Sequence, residues 1–344
     1  MRKAGIEPER RYRPTCHRAL PRPAWLRNAA ELEALIERTG FTASARDIRR
    51  RAEPCLYIFE EDRALDSPVG ATRFGGLPDL PPDMPWPDVG GNPLRFYAQI
   101  DLSDLAGTVI ADRLPGSGLL SFFVSPLDLD PDLIVVVVPL VPDGAPLVRR
   151  LPPADCAQFA YPTIVTLDPV SVVFEPGLSF PIFDLRWLEE LERANPDGDI
   201  DALMGGLGSA VRVLGQMLGY PSWTSDDLRE EMYFEEIGRP GAQSLRLWTS
   251  WDDWEQAKTI SSKSRGGTIY RPWQAKDDAN MRWILENEAE ITEGVEQWRA
   301  LLSIESNAGM NLWINDANAI YFLTRAERLR EGDFSAVRAT TTQS

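Results

Sequence analysis

Between residues 72 and 87 the chain reads Thr72-Arg73-Phe74-Gly75-Gly76-Leu77-Pro78-Asp79-Leu80-Pro81-Pro82-Asp83-Met84-Pro85-Trp86-Pro87. A double glycine followed by five prolines excludes a helix and a central strand here. Proline removes backbone donors and fixes φ, whereas paired glycines allow positive φ or a close backbone approach. The segment is therefore expected to be a stiff strap on the surface. Trp86, set between two prolines, is read as its anchor on the body; a groove wall offering the ring to a ligand is the alternative.

The remaining chain carries enough apolar bulk to receive such a strap. Of 344 residues, 43% are hydrophobic and 26% charged, and eleven Trp and thirteen Phe supply core volume. The longest apolar run, Leu133 to Val141, is far short of the ~20 residues of a membrane span. A basic start with no apolar stretch behind it predicts no secretory signal. Cys16, Cys55 and Cys156 form no C-x-x-C pair, which suggests a reducing, cytoplasmic setting.

Two compositional facts narrow the chemistry. Histidine occurs once, at His17 in the basic leader, so a histidine-based triad has one possible base, and a His/Cys zinc site would need that His and all three Cys. The net charge is −16, but residues 1–51 hold 13 Lys and Arg against 6 Asp and Glu. An acidic body behind a basic start disfavours membranes and nucleic acid, except through the start itself, and favours a basic protein partner. Residues 1–27 are Arg- and Pro-rich and read as a disordered leader, 28–338 as the folded domain, and 339–344 as a polar tail.

Periodicity places the elements. Asn28 caps a helix to Thr39 that Gly40 ends; Leu56–Phe59, Leu94–Ile100, Leu119–Val124, Leu147–Leu151 and Val170–Phe174 read as strands. Ile134–Leu140 reads as one continuous strand buried on both faces. Asp101 caps the short helix after Ile100, with Asp104 at the capping-box position. Later, Asp184 caps a helix to Ala194, Ser250 caps another, and Ala279–Trp298 is helical with a break at Gly294. Trp248, Trp251 and Trp254 share a stripe, read as a packed face with a stacking platform as the alternative. Trp298–Ile304 and Ala319–Thr324 are strands, and Ala326–Arg330 is a short helix.

The expected fold class is thus α+β, with largely antiparallel sheets and peripheral helices. Phe96-Tyr97-Ala98-Gln99-Ile100-Asp101 echoes the strand ending Ser303-Ile304-Glu305, and each is followed by a second aromatic strand. The echo is either a duplicated β-unit or a coincidence between two amphipathic hairpins. Gly206-Leu207-Gly208-Ser209 has no third glycine or lysine, so it is not a phosphate loop. The alternating aspartates at Asp128–Asp132 and Asp197–Asp201 lack the Gly and Glu of a calcium loop.

Phe74–Pro81, Trp86-Pro87, Pro93–Leu102, Gly118–Phe123, Leu218-Gly219-Tyr220-Pro221, Trp298–Ser306, Tyr321-Phe322 and Asp333–Val337 together resemble the YwqG-like family, a bacterial domain of unknown function. The resemblance runs in order over about residues 28–338 and implies no activity. Ser303, Ser225 and the Ile314–Asn318 turn depart from the family pattern.

Candidate site residues follow from position. Asp101, Asp104 and Glu305 lie at equivalent strand ends and could act as a carboxylate pair. Arg73, Trp86, Gln99 and Asp316 are the candidate ligand-binding residues, with Arg73 free to pair with those acids. No metal site and no cofactor is expected. Three functions compete: a non-catalytic binding protein of immunity type that engages a basic partner, a hydrolase-like enzyme on the carboxylates, and a ligand-binding module on Trp86 or the tryptophan stripe.

Overall fold

The computed structural model describes residues 25–61, 67–125, 134–153, 166–182, 184–208, 213–221, 227–247, 250–256, 275–314 and 318–341. The leader up to residue 24, Trp248, Ser225 and Asp316 lie outside them.

Helix α1 (Ala29–Thr39) starts where Asn28 accepts the Glu31 N–H and stops at Gly40, whose φ of 80° only a residue without Cβ adopts freely. After α2 (Ala45–Arg50) come β1 (Glu53–Glu61), β2 (Arg73–Phe74), β3 (Asp79–Leu80), the hairpin β4 (Asp88–Val89) and β5 (Asn92–Pro93), and β6 (Arg95–Asp101). Next are β7 (Leu119–Val124), β8 (Val136–Val137), β9 (Leu140–Val141), β10 (Val148–Arg149) and β11 (Ser171–Ser179). The second half adds α3 (Leu185–Ala194), α4 (Ile200–Leu207), β12 (Gly215–Met217), α5 (Leu228–Glu236), α6 (251–256), α7 (Ala275–Glu286) and α8 (Glu288–Val295). Strands β13 (Trp298–Glu305) and β14 (Ala319–Arg325), helix α9 (Ala326–Glu331) and β15 (Arg338–Thr341) complete the chain.

Two antiparallel sheets carry the molecule, which makes it α+β. One has the order β11-β1-β12-β13-β14-β15, so early and late strands meet; the other has β2-β6-β7-β8, with β9 also on β7. Alternation along the strands fixes what each face covers. On β14, Ile320 and Phe322 turn into a core shared with Ala98, Ile100, Leu120 and Phe122 of the other sheet. Ala319, Tyr321 and Leu323 turn the opposite way, into a cluster with Met232, Phe234, Trp254, Met281 and Ile291. Helices α5 to α8 therefore coat one outer face. Helices α1 to α4 cover another part around Phe41, Trp187 and Leu203.

The two central hairpins match in register. β6 pairs with β7 with a bulge between Phe96 and Ala98, and β13 pairs with β14 with a bulge between Ala300 and Leu302. Aligned on the bulge, Gln99 corresponds to Ser303 and Asp101 to Glu305. The flanking strands correspond as well. Arg73 lies opposite Gln99 and Gln216 opposite Ser303. Each short strand then turns through two positive-φ residues, Gly75 and Gly76 at 69° and 71°, and Leu218 and Gly219 at 57° and 83°. These correspondences support the duplicated unit over coincidence.

Three expectations need correction. Ile134–Leu140 is not one strand buried on both faces: β8 and β9 are separate two-residue pairings on β7, and Ser121 donates to the carbonyl of Pro139 between them. Nor is the strap a surface loop throughout. Phe74, Asp79 and Leu80 are fully buried, and β3 pairs with β10. Finally, β15 carries the sheet through Thr341, into the stretch expected as a tail.

Candidate functional site

The strap is held down by a buried polar cluster. Arg73 on β2 is 3% exposed, and Asp79 and Gln99 are fully buried. The Arg73 guanidinium lies 2.6 Å from the Asp79 carboxylate and also donates to the Leu77 carbonyl (2.6 Å) and to Gln99 Oε1 (3.2 Å). Gln99 returns two bonds, to Asp79 Oδ2 at 2.9 Å and to the carbonyl of Ala71 at 2.8 Å. The backbone N–H of Asp79 donates to Gln99 Oε1, and that of Gly70 to the carboxylate. Arg149 on β10 adds a second cation 3.1 Å from Asp79.

Burial works to raise the Asp79 carboxyl, but the bonds from Arg149, Gly70 and Gln99, with the Arg73 charge, hold it below the usual carboxylate range. Burial lowers Arg73 against the pull of Asp79, yet a guanidinium remains protonated at any physiological pH. Within this cluster Arg73 Nη1 has no partner, and neither does Ser121 Oγ, opposite Gln99 on β7. The cluster thus clamps the glycine turn. Arg73 reaches the carbonyl four residues on, at Leu77, and Gln216 does the same at Tyr220, at 2.8 Å.

The acid expected to pair with Arg73 was one of those at the strand ends; the partner is instead Asp79, inside the strap. Asp101 accepts from Ser103 N–H and caps a 3-10 turn, Leu102–Leu105. Asp104 does not bond back directly to the cap. It accepts from Thr72 Oγ1 at 2.6 Å, and Thr72 in turn accepts the Asp101 N–H. Trp86 is 9% exposed, and its indole donates to the carbonyl of Leu94. In the stripe, Trp254 is fully buried and Trp251 lies under the Arg282 guanidinium.

Glu305 stands apart. Burial, with no neighbouring charge contributing, raises its carboxyl to about 7, and its Oε1 has no hydrogen-bond partner. Asn318, just before β14, leaves its Nδ2 unpartnered too. Cys55 is fully buried, and burial pushes its thiol up to about 12, so it is poor as a nucleophile. Among the described residues no three of His, Cys, Asp and Glu gather as metal ligands, and no helix is long and apolar enough to cross a membrane.

The structure thus brings Arg73 and Gln99 together, leaves Asp101 and Asp104 as turn-makers, and isolates Glu305. The sequence reading missed Asp79 and Arg149. A proline-flanked aspartate looks solvated, and its second cation comes from seventy residues away. The need of a buried Arg73 for a counter-ion was the available signal.

Residues 72–342 match the model of a family described as a domain of unknown function, DUF1963. The chain belongs to this family. The DUF1963 match opens at Thr72, just before the clamp arginine, and takes in both glycine turns and the last strand. Strand β1 lies ahead of it, although β1 sits between β11 and β12 in the large sheet. A comparison with curated proteins returns no match.

Proposed function

We propose that the chain is a non-catalytic, intracellular binding protein of immunity type, within the YwqG-like branch of unknown-function domains, and that it docks a basic protein on the helical layer α5 to α8. One observation carries this reading. Over residues 227–247, 250–256 and 275–296, fifteen Asp and Glu stand against five Lys and Arg. The described part of this layer thus carries a net excess of ten acids. Glu290 and Glu293 on α8, and Glu296 at its C-terminal cap, are exposed and have no ion pair among the described residues. Such a face steers a cationic partner and loses grip as salt screens it.

The test is capture from a lysate with the wild-type chain and with the triple variant E290K/E293K/E296K, at low and high salt. The reading expects a basic protein that is retained by the wild type at low salt, released at high salt and absent from the variant. A retained partner indifferent to both salt and charge reversal would refute it.

A second reading, hydrolysis on Asp101, Asp104 and Glu305, draws support from the raised Glu305 carboxyl, which suits a general acid. Against it, no other carboxylate perturbs Glu305. Loss of a hydrolytic activity in Glu305→Gln, with binding to the acidic face intact, would favour this reading over the first.

A further inference from the structure

The large sheet ends at β11, and the free edge of that strand is only partly covered. β11 pairs with β1 in unbroken antiparallel register from Glu53↔Ser179 to Glu61↔Ser171, so its backbone groups alternate between β1 and the free edge. Three contacts show which residues face that edge. Val170, just ahead of β11, exchanges two backbone bonds with Phe74 of β2. The Pro176 carbonyl accepts the Trp25 indole N–H at 2.9 Å, and the Leu178 N–H donates to the Leu26 carbonyl at 2.9 Å. The even-numbered positions therefore face outward, and they include Val172 and Phe174.

Neither Val172 nor Phe174 has a backbone partner on that side among the described residues. β2 meets this edge only at Phe74↔Val170. Both side chains are half-buried and pack against the main core. Two N–H and two C=O groups thus stand open in a gap, closed at one end by β2 and at the other by Trp25 and Leu26. Unpaired groups on a half-buried edge are costly and invite a strand. The chain itself is aimed at the gap. Trp25 is 5% exposed and wedged on Phe59, the ring centroids 5.0 Å apart. Leu26 then leads past Leu178 into α1, which packs in one cluster with Phe180. The residues ahead of Trp25 are therefore delivered to the Phe174 end of the gap.

We infer that the gap is the docking site of the chain's own leader, with Leu20-Pro21-Arg22-Pro23-Ala24 added as a strand parallel to β11. The sequence suits that place. Each proline holds the residue before it extended and lacks an N–H. Leu26 presents its carbonyl to β11. Alternation then turns Ala24, Arg22 and Leu20 to the strand, and Pro21 and Pro23 to solvent, the side on which an edge strand tolerates proline. The N–H groups of Arg22 and Ala24 donate to the carbonyls of Val172 and Phe174. The N–H groups of Val172 and Phe174 donate to the carbonyls of Leu20 and Arg22. Tethering through Trp25 favours this segment over any free peptide by its effective concentration.

The test uses the full chain and reads amide hydrogen exchange at Val172 and Phe174 by NMR. Both amides should exchange at least about tenfold more slowly than an unstructured amide. Arg22→Pro removes the N–H that meets Val172 and should restore fast exchange at both. Arg22→Gln keeps that N–H and removes the charge, and Ala19→Pro places a proline at an outward position; both should leave the protection intact. All three changes lie ahead of Trp25. Fast exchange in the wild type overturns the inference. So does protection that survives Arg22→Pro, which would mean that another segment covers the edge, or protection lost equally in Ala19→Pro. Protection that grows with protein concentration, together with a doubled mass in light scattering, would assign the edge to a second copy and overturn docking within one chain.

Discussion

Phe122 and Phe322 meet edge-on across the interface of the two sheets, their ring centroids 5.0 Å apart. They occupy the same register position in the two bulged hairpins, Phe122 opposite Ala98 and Phe322 opposite Leu302. Corresponding residues of the two units therefore touch one another, as they do across the axis of a two-fold dimer.

Replacing either ring with alanine should cost about 3–5 kcal/mol, because both are fully buried and the cavity cannot easily collapse. The double variant should cost less than the two losses added, by roughly 1 kcal/mol or more, since the rings are mutual partners. Urea denaturation of the single and double variants measures this, and strict additivity would count against a shared centre.

Asp79 should be among the least replaceable polar residues. Asp79→Ala leaves Arg73 charged and 3% exposed with no counter-ion, a loss of about 3–5 kcal/mol. Arg149→Ala, whose side chain is one-third exposed, should cost only about 1 kcal/mol. The Asp79 carboxyl is held low in the folded state, so its contribution is full above the unfolded carboxylate range and disappears as pH falls through the folded value. Chemical denaturation of both variants at neutral and acid pH distinguishes the two costs.

Glu305 gives the opposite sign. Its folded carboxyl is raised from 4.5 to about 7, so between those values the folded chain holds a proton that the unfolded chain has lost. Wild-type stability should therefore fall by about 2–3 kcal/mol as pH rises from about 5 to about 7, and Glu305→Gln should remove that slope. A parallel pH profile for wild type and variant would show that the carboxyl titrates normally.

The strap turn offers a steric test. A Cβ on Gly75 would sit 2.2 Å from the Asp168 carbonyl oxygen, at a φ of 69° that disfavours side chains already. Gly75→Ala should destabilise by about 2 kcal/mol or more, whereas Gly90→Ala, with open space around it, should pay only for its backbone angle of 61°. Thermal denaturation of the pair separates the steric cost from the conformational one.

Features dictated by local chemistry were legible in the sequence. The Asn28 cap and Gly40 stop, the Asp184 cap, the aromatic hairpin strands and the Trp86 anchor all follow from short-range patterns. What was not legible depends on distant partners. Ile134–Leu140 has the composition of a buried strand, but Pro139 cannot donate and β7 pairs with the run only at two separate points. Residues 339–341 read as part of a polar tail because an edge strand can leave one face in water, although their Thr residues are β-branched. The clamp was half-legible. Arg73 and Gln99 were both among the candidate ligand-binding residues, but the acid that joins them was hidden among prolines.

The place of β1 in the large sheet bears on how the chain reaches its folded form. Its neighbours are β11, which ends at Ser179, and β12, at Gly215–Met217. During synthesis β1 therefore emerges long before anything exists for it to pair with. Its apolar run Cys55–Phe59 must wait unprotected while well over a hundred residues are added. A ribosome pausing in that interval would expose a sticky segment, and a fragment ending before Ser171 would keep it exposed permanently.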